Sequence, residues 1–285
     1  MSKYLSPGVR YMLFATITFA LMKVCVKAIP HIPAIEIIFF RAVISLAISV
    51  VLLKKQKVSI WGNNKKVLIA RGVVGSISLI IYFYLLHNIP LATAATLQYM
   101  APIFTTILGI YIVKEKVFSW QWVFFGLSFW GVLLMQGFDA RISPFHFFLG
   151  IGGALFTGLA YNFVRKLNTT EHPLVIIFYF PLVLLPIGSV WSYFVWVTPE
   201  GTDWLMLLAV GILTQIAQFF LTKSYQSEEV SKVSILNYLG LIYALLFGYL
   251  IFDESFNLLT YAGMGLVLVG VIANVIYKGR IQKGA

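Results

Sequence analysis

The sequence predicts an all-α integral membrane protein: ten transmembrane helices arranged as two five-helix repeats of inverted topology, with both termini in the cytoplasm. Three observations predict it. Apolar runs of about 20 residues, the length that crosses a hydrocarbon layer of roughly 30 Å, recur between short polar breaks. Of the 285 residues 60% are hydrophobic and only 11% charged, with a mean hydropathy of +0.90, a balance that excludes a soluble globular domain. The chain also repeats itself at one fixed offset.

The expected spans are 9–29, 34–53, 67–87, 93–113, 118–137, 145–165, 174–196, 204–223, 230–252 and 257–277. The stretch from Lys3 to Met22 superficially resembles a signal peptide, but Lys23 and Lys27 stand where small residues would mark cleavage. It reads as the first membrane helix. Pro30 and Pro33 end it, since proline cannot continue the hydrogen-bond ladder. Asn63 and Asn64 separate the second span from the third, and Asn88 and Pro90 the third from the fourth. Ser143 and Pro144 precede the sixth, and Pro199 and Gly201 the eighth. Breaks this short make consecutive helices antiparallel neighbours.

Lys and Arg sort to alternate loops. One side collects 17 of them: Lys3, Arg10, Lys54, Lys55, Lys57, Lys65, Lys66, Arg71, Lys114, Lys116, Arg165, Lys166, Lys223, Lys232, Lys278, Arg280 and Lys283. The other holds only Arg141, while Lys23, Lys27 and Arg41 lie inside helices. The basic side is cytoplasmic and takes both termini. The net charge of +11 is therefore a topology signal. It is not a nucleic-acid surface, which would gather the charge on one face.

Shifting the chain by 139 positions aligns the third to fifth spans with the eighth to tenth without a gap. Gly72 falls on Gly211, Leu97 on Leu236, Tyr99 on Tyr238, Gly109 on Gly248, Glu115 on Glu254, Gly126 on Gly265 and Gly131 on Gly270. Residues 1–140 form the first repeat and 141–285 the second. Five helices is an odd number, so the second repeat enters the membrane from the opposite side. Loop charge agrees, because Lys114, Glu115 and Lys116 end the fourth span where Asp253, Glu254 and Ser255 end the ninth. Such a scaffold can open to either face, with a small solute held near the midplane between halves.

The stretch from Tyr82 to Met135 resembles the ten-helix EamA-type members of the drug/metabolite transporter superfamily. The likeness rests on Pro90-Leu91-Ala92-Thr93-Ala94-Ala95, Ala101-Pro102-Ile103-Phe104, Glu115, Gly126 and Gly131, and on Phe39-Phe40-Arg41-Ala42 in the second span. The resemblance implies alternating access in a bacterial inner or plasma membrane, often efflux of amino acids or metabolites. Arg71-Gly72 with Tyr82-Phe83-Tyr84 is similar to a subgroup that includes carriers of S-adenosylmethionine. Leu241 stands where the repeat would put a second Pro102.

Charges inside a bilayer need a partner, water or a ligand. Lys23 and Lys27 share one face of the first helix by their four-residue spacing, and the second helix adds Glu36 and Arg41. Lys23 and Arg41 are candidates to bind a carboxylate or phosphate, with Glu36 as charge balance or coupling group; a structural ion-pair network is the alternative. Gln98 with Tyr99, and the repeat-related Asn237 with Tyr238, offer the polar and aromatic groups of a substrate pocket. Asn162, Gln215 and Gln218 join the substrate-binding candidates, Tyr82 and Tyr84 are candidate cavity-lining residues, and Pro102 is a candidate helix kink. Gly150, Ala154 and Gly158 form a close-packing stripe.

Four scattered histidines without an HExxH motif, and the lone Cys25, supply no metal, disulfide or cofactor framework. Expected partners are a small-molecule substrate and the lipid bilayer, with a homodimer left open. Two cations against one acid favour an anionic or zwitterionic, amino-acid-like or nucleoside-like metabolite. A membrane enzyme, and a channel or scaffold, stay as alternatives.

Overall fold

The computed structural model describes residues 6–112, 118–138, 143–167, 170–227, 236 and 239–284. The helices among them are α1 (Pro7–Lys27), α2 (Ala34–Lys55), α3 (Lys65–Asn88), α4 (Leu91–Gln98), α5 (Ala101–Ile112), α6 (Ser119–Phe138), α7 (Pro144–Leu167), α8 (Pro173–Val195), α9 (Asp203–Ser227), α10 (Leu239–Phe252) and α11 (Leu258–Gly284). Seven segments are long and apolar enough to cross a membrane, α4 and α5 together counting as one, and α6, α10 and α11 supply shorter apolar stretches. Pro7 opens α1 and Pro173 opens α8, each at a position where a missing N–H costs nothing. Asn64 caps α3 by accepting the Val67 N–H at 3.3 Å.

The fourth span, read as a single helix, is two. Tyr99 and Met100 form a turn after α4, and α5 restarts at Ala101. A proline at position 102 has no N–H to give the carbonyl of Gln98, so the ladder lacks a bond at this turn.

The surface is apolar. Tyr193, Phe194, Leu258 and Phe148 stand far out of the bundle, aromatic and aliphatic groups that water would penalise and lipid accepts. Inside, hydroxyls in the helices return their hydrogens to backbone carbonyls of the preceding turn, as Thr18 does to Phe14 at 2.6 Å, Ser76 to Gly72 at 2.7 Å and Thr96 to Ala92 at 2.8 Å.

Helices pack chiefly across the halves: α1 on α9, α2 on α8, α3 on α7, α4 on α10 and α6 on α11. The contacts come in pairs related by the 139-residue offset. A Cβ on Gly131 would lie 2.6 Å from the Gly263 carbonyl oxygen, and one on Gly270 2.7 Å from that of Phe124. Gly72 meets Val183 as Gly211 meets Ile44, and Gly153 meets Ile81 as Phe14 meets Phe220. Glycine at these positions lets one helix approach another to a distance that any side chain would block. The stripe on α7 has the same use. A Cβ on Gly158 would lie 2.7 Å from the Thr105 backbone nitrogen of α5, and Ala154 is fully buried.

One end of the bundle, where α1 and α3 finish and α2, α4 and α9 start, is tied by charge. Lys27 Nζ pairs with Glu254 Oε1 at 2.8 Å and donates to the Ile89 carbonyl at 3.0 Å. Both Glu254 oxygens accept the Leu91 N–H at 2.9 Å, where α4 begins with an unmet donor. His31 Nε2 contacts Asp203 Oδ2 at 2.9 Å. At the opposite end Glu171 accepts the Asn64 N–H at 2.5 Å.

Candidate functional site

A narrow cavity opens between α2, α3, α8 and α9, lined by Arg41, Ser45, Arg71, Phe180, Thr214, Gln215 and Gln218. Arg41 is 5% exposed, and its Nε donates to Thr214 Oγ1 at 3.1 Å. Its guanidinium lies 5.8 Å from the Phe83 ring and 5.5 Å from the Phe180 ring. Arg41 and Phe180 are themselves 139 residues apart, the offset at which the chain repeats. Gln215 donates to Ser49 Oγ at 3.2 Å, which fixes the cavity wall on α9.

Arg71 belongs to this cavity as well. Its charge, counted with the loop lysines in the sequence, sits 4.6 Å from the Phe180 ring, on the same aromatic group that Arg41 uses. Seven residues along α3 is about 10 Å, deep enough to leave the rim. That depth, measured from the Asn64 cap, is the signal that could have found it.

Lys23 forms a second group. Its Nζ lies 5.4 Å from the Tyr82 ring and 6.0 Å from the Tyr99 ring, with no acidic side chain among the described residues in ion-pair range. Tyr161, which sequence reasoning missed in an aromatic-rich helix, is close enough to interact electrostatically with both Arg71 and Tyr99.

Other candidates lie elsewhere. Glu36 is 0% exposed, but its Oε2 accepts the Val197 N–H at 3.0 Å, and it forms no ion pair with Lys23, Lys27 or Arg41. Lys27 turns to Glu254 instead. Gln98 donates to Thr157 Oγ1 at 2.7 Å, and the Asn162 amide donates to the Thr105 and Gly158 carbonyls, each at 2.9 Å. These amides join α7 to α4 and α5. Tyr84, two residues from Tyr82 and so on the opposite side of α3, is 38% exposed and meets Phe145 and His146. Asn237 and Tyr238 lie outside the described residues, as does the Pro102 side chain.

Membrane transport proteins hold polar solutes in cavities of this kind, cationic and aromatic, between bundles of apolar helices. The EamA-like transporter family's model matches residues 6–136 and again 145–276, and the chain belongs to that family. It is a multi-pass integral membrane transporter. The chain is 31% identical over 284 residues to the pseudopaline exporter CntI of Pseudomonas aeruginosa (strain UCBPP-PA14), covering 98% of each protein. It is 24% identical to the S-adenosylmethionine uptake transporter of Rickettsia prowazekii, covering 95% of this chain and 92% of that one. A solved crystal structure superposes with a TM-score of 0.68 at 16% identity, over 96% of this chain and 98% of that one, which is a likeness of fold.

Proposed function

We propose that this chain moves a small anionic or zwitterionic metabolite across a bacterial inner membrane by alternating access, as an exporter or exchanger. The observation that carries this is the Arg41 guanidinium, buried in a polar and aromatic cavity between helices of both halves, with no acid of the described residues to neutralise it. A buried charge left without a counter-ion by the protein is a site for a charged ligand.

In this reading ten spans form two inverted five-helix halves with both termini cytoplasmic. The paired contacts at the 139-residue offset support it, as does the family model's matching the chain twice. The narrowness of the cavity fits one stage of a cycle in which the halves rock apart. The end tied by Lys27 and Glu254 is then the closed, outward one. Names among the relatives include both an exporter and an uptake transporter, so direction follows from the bound solute and its gradients rather than from the fold.

Counterflow in liposomes tests the reading. Vesicles loaded with unlabelled amino-acid-like, nucleoside-like or carboxylate metabolites should accumulate the labelled form transiently and saturably. A channel or scaffold would give no overshoot, and an enzyme would alter the label chemically.

A further inference from the structure

The centre of the bundle holds two groups of buried cations, of which Arg41 and Arg71 line the cavity and Lys23 lies beside it. At one station Arg41 on α2 and Arg71 on α3 both lie against Phe180, near enough for their charges to act on each other. At the other, Lys23 on α1 rests between the Tyr82 and Tyr99 rings. The two stations approach each other on α3, where Phe83, 5.8 Å from the Arg41 guanidinium, directly follows Tyr82, 5.4 Å from Lys23 Nζ. The Nε and Nη1 atoms of Arg71 are buried and have no hydrogen-bond partner among the described residues.

Among the described residues no acid pairs with these cations. Glu36 and Asp203, on the helices that line the cavity, are engaged at the tied rim by Val197, and by His31 and the Glu200 N–H. Glu171 is held by Asn64 at the other end. A zwitterion would bring an ammonium with no carboxylate to receive it. The rings of Tyr82, Tyr99, Phe83 and Phe180 already carry Lys23, Arg41 and Arg71 by cation–π contact. Anionic oxygens fit both stations, and Arg71 has unused N–H donors for the charge-assisted hydrogen bonds that carboxylate and phosphate accept.

We propose that Arg71 is a substrate-binding residue and that the solute carries at least two anionic groups, carboxylate or phosphate, one held by Arg41 with Arg71 and one by Lys23. This rests on the transport reading of the same cavity and narrows it from anionic or zwitterionic to multiply anionic.

Thermal unfolding of the purified full chain at fixed ionic strength tests it, with acetate, alanine, succinate, dimethyl succinate, tricarballylate and pyrophosphate as probes. Stabilisation should be absent for acetate, alanine and the diester and clear for the multiply charged probes. Preference for tricarballylate or for pyrophosphate then tells carboxylate from phosphate. Arg71→Gln should weaken the dissociation constant of the best probe by about tenfold or more, and Arg71→Lys, which keeps the charge and loses the fork, by less. The unliganded melting temperature of each variant reports whether it folds. The proposal is overturned if alanine or acetate stabilises as well as the dianions, if no anion stabilises, or if either folded Arg71→Gln or Arg71→Lys protein binds like the parent. Counterflow of some other solute by a protein that fails this test would leave transport standing and remove only the two-anion claim. Dianion binding without counterflow would do the reverse.

Discussion

Lys27 and Arg71 are each a cation within an apolar helix, and their surroundings are opposite. Around Lys27 the protein completes the circuit. Glu254 neutralises it at 2.8 Å, the Ile89 carbonyl accepts a second bond, and Glu254 spends its remaining capacity on the Leu91 N–H. Around Arg71 stand a ring at 4.6 Å and a second guanidinium, and no acid among the described residues pairs with it. The first arrangement closes one end of the bundle. The second leaves free energy to be released by a ligand, because desolvated like charges gain most when an anion arrives. Position along a helix does not distinguish these roles; the partner does.

The comparison is broken most severely at Arg41. Arg41→Ala should reduce counterflow by at least about tenfold, since a charged hydrogen bond to the solute is lost, while the melting temperature stays near that of the parent. Equal losses of transport and stability would make Arg41 a structural residue. At the rim the order reverses. Glu254→Ala leaves the partly buried Lys27 without its acid and should destabilise the protein by about 2 kcal/mol, read from chemical or thermal unfolding, while the surviving folded fraction binds ligand with parental affinity.

Glu36 sharpens the contrast by lying between these cases. It is fully buried yet accepts a backbone N–H rather than a cation, so Glu36→Gln keeps an acceptor there and should cost about 1 kcal/mol or less. Exchange should continue at a similar rate in this variant. Uphill uptake driven by an imposed pH gradient, and abolished by Glu36→Gln, would instead make it the coupling acid. The smallest effect belongs to Tyr84→Ala on the outer face of α3, which should change affinity by no more than about twofold in a titration.

Much of the fold was legible because the bilayer imposes one length and one polarity on every span, and because glycine pairs such as Gly131 with Gly270 mark close approaches that composition alone would not produce. The division of the fourth span at Tyr99 and Met100 was legible only as a proline two residues on. In the site, Arg41 stood out as a charge deep in an apolar run. Arg71 did not, because it follows a lysine-rich loop closely enough to be counted with it. Lys23 and Lys27 share one face of α1 by their spacing, but a helix face has two ends. Four residues along the helix separate the Tyr82–Tyr99 pocket from the Glu254 latch. Glu254 and Lys27 are far apart in sequence, and no local pattern announces such a pair.

Access to the cavity from both membrane faces is the most direct test. Cys25 is the chain's single cysteine, so Gln218→Cys in a Cys25→Ser background gives one reporter on the cavity wall. It can be challenged with a membrane-impermeant maleimide in right-side-out and in inverted vesicles. Alternating access predicts labelling from either face, slowed by a ligand that binds the cavity. Labelling from one face only, at a rate no ligand changes, would contradict it.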